Sequence, residues 1–179
     1  MLHENIKLAK YFILGVLLQV LVFESWNFLG YIDPIFYIIF ILIYKFDGSQ
    51  IQFILLSFTL GLVIDLLTQN PGSNTISCIV ISYIRPFLIK FSFGVNADIS
   101  NGMVSGTRLE NRILFVGLII FIHHLVYFSV SYFSFSAYID ILKNTILTGL
   151  LTSILIAITL GFISKRWYGI TFYKLLLLS

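Results

Sequence analysis

Long apolar stretches and short polar ones alternate along this chain at the length scale of membrane crossings. Six stretches of mostly Leu, Ile, Val, Phe and Tyr cover residues 8–23, 28–44, 51–67, 76–93, 113–135 and 146–163. A bilayer core of about 30 Å takes about 20 helical residues. The pattern therefore predicts an all-α polytopic membrane protein, a six-transmembrane-helix bundle forming one domain over residues 1–179. Lys7 and Lys10 precede the first run as in a signal peptide, but no small-x-small cleavage pattern follows, so it is read as a retained span. The second run is short. Asp33-Pro34 reads as a helix start, with Asp as N-cap and Pro in the first turn. That run is either a stubby crossing helix or a re-entrant one. Asn70-Pro71-Gly72 is a strong turn signal between spans three and four.

Charge orients the bundle. With six crossings, Lys7, Lys10, Lys45, Lys90, Arg108, Arg112, Lys165, Arg166 and Lys174 fall on one side, and only Lys143 on the other. By the positive-inside rule both termini are expected in the cytoplasm. If the second run turned back, the bias would drop from nine against one to seven against three. Six crossings are therefore preferred. Trp26 suits the interfacial belt, Lys165-Arg166-Trp167 marks the end of the sixth span, and the short apolar tail after it suits the membrane surface.

Composition narrows the function. Only 11% of residues are charged and the mean hydropathy is +1.00, against about 25% charged in soluble domains. The net charge of +3 sits mostly at span ends and is no nucleic-acid signal. The single cysteine, Cys78, lies in an apolar run and forms no disulfide within the chain.

The candidate chemistry is the set of polar groups inside or at the edge of the spans: Gln19, Glu24, Asp65, Arg85, His123 and His124. Asp and Arg each cost about 2.5–3.5 kcal/mol at a helix centre in lipid, so each must be compensated. Gly61 lies one turn before Asp65 on the same face and admits a close neighbouring helix. Asp65 and Arg85 are either a polar cluster that fixes helix packing or a partner site, with an axial offset against a close pair, or separate groups, Asp65 reaching interfacial water and Arg85 snorkelling inward. His123 and His124 point about 100° apart, which is poor geometry for a shared metal, and no further ligand set accompanies them. One of them is expected to face Arg85 or the bundle interior as a hydrogen-bonding group. A proton path through His123, Asp65 and Glu24 is the other functional option. No hydrolase triad, phosphate loop or nucleotide fingerprint is present. No enzyme activity, metal or cofactor is expected.

Several segments together resemble a known family. They are Gly61-Leu-Val-Ile-Asp65-Leu66, Asn70-Pro-Gly72, and Tyr83-Ile-Arg85-Pro86-Phe87. With them go Leu18-Gln19-Val20-Leu21-Val22, Tyr31-Ile-Asp33-Pro34, and His123-His124 followed by aromatics. In order and spacing the chain resembles the rod shape-determining MreD family, closest to its Bacteroidetes-type branch. Cys78 departs from the small residue usual there. The resemblance implies a non-enzymatic inner-membrane component of the cell-elongation (Rod) complex. Such a protein binds MreC and works with MreB, RodA and a class B penicillin-binding transpeptidase in peptidoglycan synthesis and cell shape. The family is also similar in fold to substrate-binding subunits of energy-coupling-factor transporters. The alternative is therefore a small-molecule-binding transporter subunit, with a pocket near Asp65 and Glu24.

Overall fold

In the computed structural model, residues 2–24, 32–44, 49–97 and 108–176 are described, with the helix backbone alone at 2–8, 135 and 162–176. The described residues are all-helical. The elements are α1 (Leu2–Leu18), continued by one π-helical turn (Gln19–Phe23), then α2 (Ile38–Ile43), α3 (Gln50–Thr68), α4 (Ser73–Phe93), α5 (Leu109–Tyr132) and α6 (Tyr138–Leu176). α3, α4, α5 and the stretch Tyr138–Gly161 of α6 are each long and apolar enough to cross a membrane. Ala9–Phe23 is a shorter apolar helix. The family of elements is that of a multi-pass helical bundle.

The distribution of polarity inverts that of a soluble protein. Gln19, Asp65, Asn74, Arg85, His123, His124 and Thr152 are buried, while Leu66, Tyr83 and Phe87 are about 70% exposed (71%, 68% and 67%). The apolar window of α6 has a mean hydropathy of 1.8 but only 22% of it is buried in the protein. Such a surface is stable only when lipid covers it.

α3 and α4 pack as an antiparallel hairpin, α4 packs on α5, and α5 on α6. The turn between α3 and α4 is the one the Asn70-Pro71-Gly72 signal predicts. Gln69 closes α3 in the left-handed region (φ 57°) and Gly72 opens α4 with φ 96°, which glycine tolerates at no steric cost. α4 starts at Ser73, three residues before the apolar run, because a carboxylate on α3 receives its first amides, as described below. The helix then runs through Pro86 to Phe93. α6 does not end at Lys165-Arg166-Trp167: its backbone stays helical to Leu176, in place of a separate tail. The side chains of that stretch, and Trp26, Lys45 and Asp47-Gly48, lie outside the described residues.

The largest departure concerns the second run. Its described part, residues 32–44, contains one six-residue helix, about 9 Å long, and Asp33-Pro34 does not start it. The helix begins at Ile38. Ile38, Ile41 and Leu42 have no exposed surface. The segment is a strut inside the bundle, with Phe40 edge-on to Phe12 of α1 and Tyr44 stacked on Phe53 of α3. Tyr37 meets Asn74 in the first turn of α4, and Leu42 and Tyr44 meet Arg85, eleven residues further along α4. The strut therefore follows α4, in the same direction, for about 16 Å.

Candidate functional site

Asp65 and Arg85 each anchor a set of buried polar groups, one at each end of this strut. The first is built on Asp65. Gly61 precedes it by one turn, and a Cβ there would lie 2.6 Å from Thr75 Cα and 2.7 Å from the Asn74 carbonyl oxygen. Only glycine lets the two backbones come this close. The approach brings the Asp65 carboxylate against the start of α4. Oδ1 accepts from the Asn74 backbone N–H (3.2 Å) and from Asn74 Nδ2 (2.8 Å). Oδ2 accepts from the Thr75 N–H (2.8 Å) and from Thr75 Oγ1 (2.5 Å). A helix start leaves its first amides without intrahelical partners, and an acidic group suits its positive end. Asp65 supplies that cap from the preceding helix. It is 5% exposed, so it does not reach interfacial water.

The set continues inward. Tyr37 Oη donates to Asn74 Oδ1 (2.8 Å) and lies 3.0 Å from His123 Nε2. His124 points to a neighbouring cluster: Nδ1 is 2.8 Å from the Ile120 carbonyl and Nε2 is 3.2 Å from Thr152 Oγ1. Both histidines face the interior, and neither bonds to Arg85. They use different partners, as expected for side chains 100° apart. Among the described residues no group of three or more His, Cys, Asp or Glu is placed to hold a metal.

The strut's own free amides are received by side chains from α1 and α6. Gln19 Oε1 accepts from Phe36 N–H (2.7 Å) and Tyr37 N–H (3.4 Å), and Gln19 Nε2 donates to the Pro34 carbonyl (3.3 Å). Thr152 Oγ1 accepts from Ile35 N–H (3.1 Å). These bonds do for α2 what Asp33 was expected to do. At the other end, Arg85 Nη2 donates to the Tyr44 carbonyl (2.8 Å) and the Leu42 carbonyl (3.4 Å), and its guanidinium lies 5.1 Å from the centre of the Phe53 ring. A cation at a helix C-terminus is favourable by its dipole, and the aromatic face adds to this. Arg85 is 1% exposed, so it does not snorkel to water either. Asp65 and Arg85 thus serve opposite ends of the strut and do not pair.

Glu24 caps the π-helical turn at the end of α1, its N–H donating to the Gln19 carbonyl (2.8 Å). Partial shielding and then the nearby Asp33 push its carboxyl above the ordinary value. It is not part of the chain that links His123 to Asp65. That chain passes through Asn74, whose amide does not relay protons as water or a carboxylate does.

Four residues central to this arrangement carry no signal in the apolar pattern: Tyr37, Asn74, Thr75 and Thr152. Asn74 and Thr75 are legible only as polar residues in the first turn after a strong turn signal, nine and ten residues from a carboxylate. The interior at Tyr37, Asn74 and His123 is filled by those side chains, each at most 4% exposed. A groove of about 450 Å³ lies elsewhere, along α1, open and lined by Ala9, Lys10, Ile13, Leu14 and Leu17. No protein-family model, curated protein or solved structure matches the chain.

Proposed function

We propose that the chain is a non-enzymatic scaffold of the bacterial inner membrane, acting in the cell-elongation complex as MreD-like proteins do. It binds MreC and, through the same complex, works with MreB, RodA and a class B penicillin-binding transpeptidase to support peptidoglycan synthesis and cell shape. The observation that carries the reading is where the intramembrane polar groups go. Asp65, Arg85, Gln19, His123 and His124 all bond to backbone or side-chain groups of the chain itself. A transport or catalytic site needs polar groups turned toward a ligand. A scaffold needs them to fix its shape. The ordered segments that resemble the family supply the cell-wall context.

The topology belongs to the same proposal: six crossings, both termini cytoplasmic, in a fold similar to energy-coupling-factor substrate-binding subunits. The path of the strut supports the count. Gln19 at the end of α1 and Asp65 near the end of α3 both meet the strut's first residues or their neighbours, so α1 and α3 end on one side. The strut then descends beside α4 to Arg85, toward the level of Gln50, whose Nε2 donates to the Tyr83 carbonyl (3.0 Å). The described residues 32–44 thus run from the ends of α1 and α3 back toward the level of Gln50 with only a six-residue helix.

Affinity purification of the tagged chain in mild detergent, with mass spectrometry of what co-purifies, tests the function. Recovery of MreC and the peptidoglycan synthases is expected. Recovery of an ATPase module, or of a bound small molecule without cell-wall proteins, would replace this reading with the transporter subunit.

A further inference from the structure

The bonds around Asp65 have a direction. A carboxylate only accepts, so the Asn74 amide must turn its Nδ2 toward Asp65 Oδ1 (2.8 Å). Its oxygen is then left facing Tyr37, whose hydroxyl proton goes to it (2.8 Å). A hydroxyl has one proton. Tyr37 therefore meets His123 Nε2 (3.0 Å) as an acceptor, and the proton of that bond belongs to His123. His123 Nδ1, buried, has no hydrogen-bond partner among the described residues, so no acceptor is on hand for a second proton. Each donor in the series points toward the negative charge, across α5, the strut, α4 and α3.

His124 is fixed the other way. The Ile120 carbonyl (2.8 Å) can only accept, so Nδ1 carries the proton. Nε2 is then the acceptor for Thr152 Oγ1 (3.2 Å), whose own oxygen receives the Ile35 N–H (3.1 Å). None of these bonds involves Asp65.

We propose that His123 and His124 hold opposite neutral tautomers, and that the charge on Asp65 sets the tautomer of His123 through Asn74 and Tyr37. The bundle centre thereby registers the ionisation of a carboxylate near one end of the bundle. If Asp65 takes up a proton, one of its four donors is displaced, Asn74 loses the reason for its orientation, and Tyr37 is free to donate to His123 instead. The field of Asp65 reaches Tyr37 on the strut, Cys78 on α4 and Tyr127 on α5, and the carboxylates Glu24 and Asp33 also act on Tyr127. This inference is independent of any partner protein.

The test is nitrogen-15 NMR of the histidine-labelled full chain in lipid nanodiscs, with His3→Gln and His124→Gln used for assignment. The proton is expected on Nε2 of His123 and on Nδ1 of His124. Asp65→Asn is expected to turn the single His123 tautomer into a mixture while His124 is unchanged, which also shows that the fold persists. Tyr37→Phe leaves the four bonds of Asp65 in place and is expected to uncouple His123 in the same way; it decides the matter if Asp65→Asn does not fold. In wild type, an acid titration followed at the Asp65 carboxyl carbon is expected to move the His123 signals with the same midpoint. A proton on Nδ1 of His123, or an Asp65 titration to which His123 does not respond, would overturn the proposal.

Discussion

Gly61→Ala is the smallest change that tests the packing account. The added Cβ would sit 2.6 Å from Thr75 Cα, 2.7 Å from the Asn74 oxygen and 2.8 Å from the Thr75 nitrogen. Carbon contacts settle at about 3.5–4.0 Å, so α4 must retreat by about 1 Å. The atoms in the way are backbone and cannot rotate aside. That retreat also stretches the Asp65 bonds to Asn74 and Thr75, now 2.5 to 3.2 Å. Overpacking costs about 1–3 kcal/mol, and weakening one or two buried hydrogen bonds adds about 1 kcal/mol each. The better helix propensity of alanine returns about 1 kcal/mol. The net loss is about 1–4 kcal/mol, or roughly 5- to 850-fold in the folding equilibrium. Reversible unfolding in mixed micelles, followed by circular dichroism during a dodecyl sulfate titration, measures it. Gly117→Ala is the control, since its Cβ would meet nothing within 4 Å, and it should be neutral or slightly stabilising. If Gly61→Ala unfolds at the same detergent fraction as Gly117→Ala, the close α3–α4 approach is not what holds Asp65 in place.

The remaining predictions use the same assay. Asp65→Leu and Asn74→Ala should both destabilise, Asp65→Leu by about 3–5 kcal/mol because it strands several buried donors, whereas Asp140→Asn, at an exposed position, should change stability by less than about 0.5 kcal/mol. Their double mutant should lose less than the sum, since both act on one network; strict additivity would count against a shared role. Gln19→Leu should cost about 2–3 kcal/mol by leaving the Phe36 and Tyr37 amides without their acceptor, and an unchanged midpoint would show that the strut is capped in another way. Arg85→Leu should lower stability and yield, with Arg85→Lys recovering part of the loss through its positive charge at the same helix end; equal stability of all three chains would refute the capping role.

The parts of this arrangement that were legible in the sequence are those set by composition and local spacing. Apolar runs separated by turns are enough to predict a membrane bundle of helices. Gly61 and Asp65 on one face are enough to predict a close neighbour and a compensated carboxylate. What compensates it was not legible, because an apolar pattern records which residues avoid lipid and not which partners they meet. Asp65 and Arg85 were candidates for each other, yet each caps a different helix end. Asn74 reads as a polar residue beside a loop and is instead the hinge of the network. The second run shows the same limit. Seventeen mostly apolar residues suit a lipid-facing helix and an internal strut equally well, and the groups that decide between them, Gln19, Arg85 and Thr152, lie as far as 117 positions away in the chain.

The most direct measurement of the central claim is binding between the purified chain and purified MreC, each reconstituted in nanodiscs or together in liposomes and followed by fluorescence energy transfer. The scaffold account predicts saturable association for wild type and for Asp140→Asn. It also predicts weakened association for Gly61→Ala in proportion to its loss of folded protein. A wild-type chain that is folded in lipid, keeps the Asp65 and Arg85 contacts, and still shows no association with MreC would contradict it.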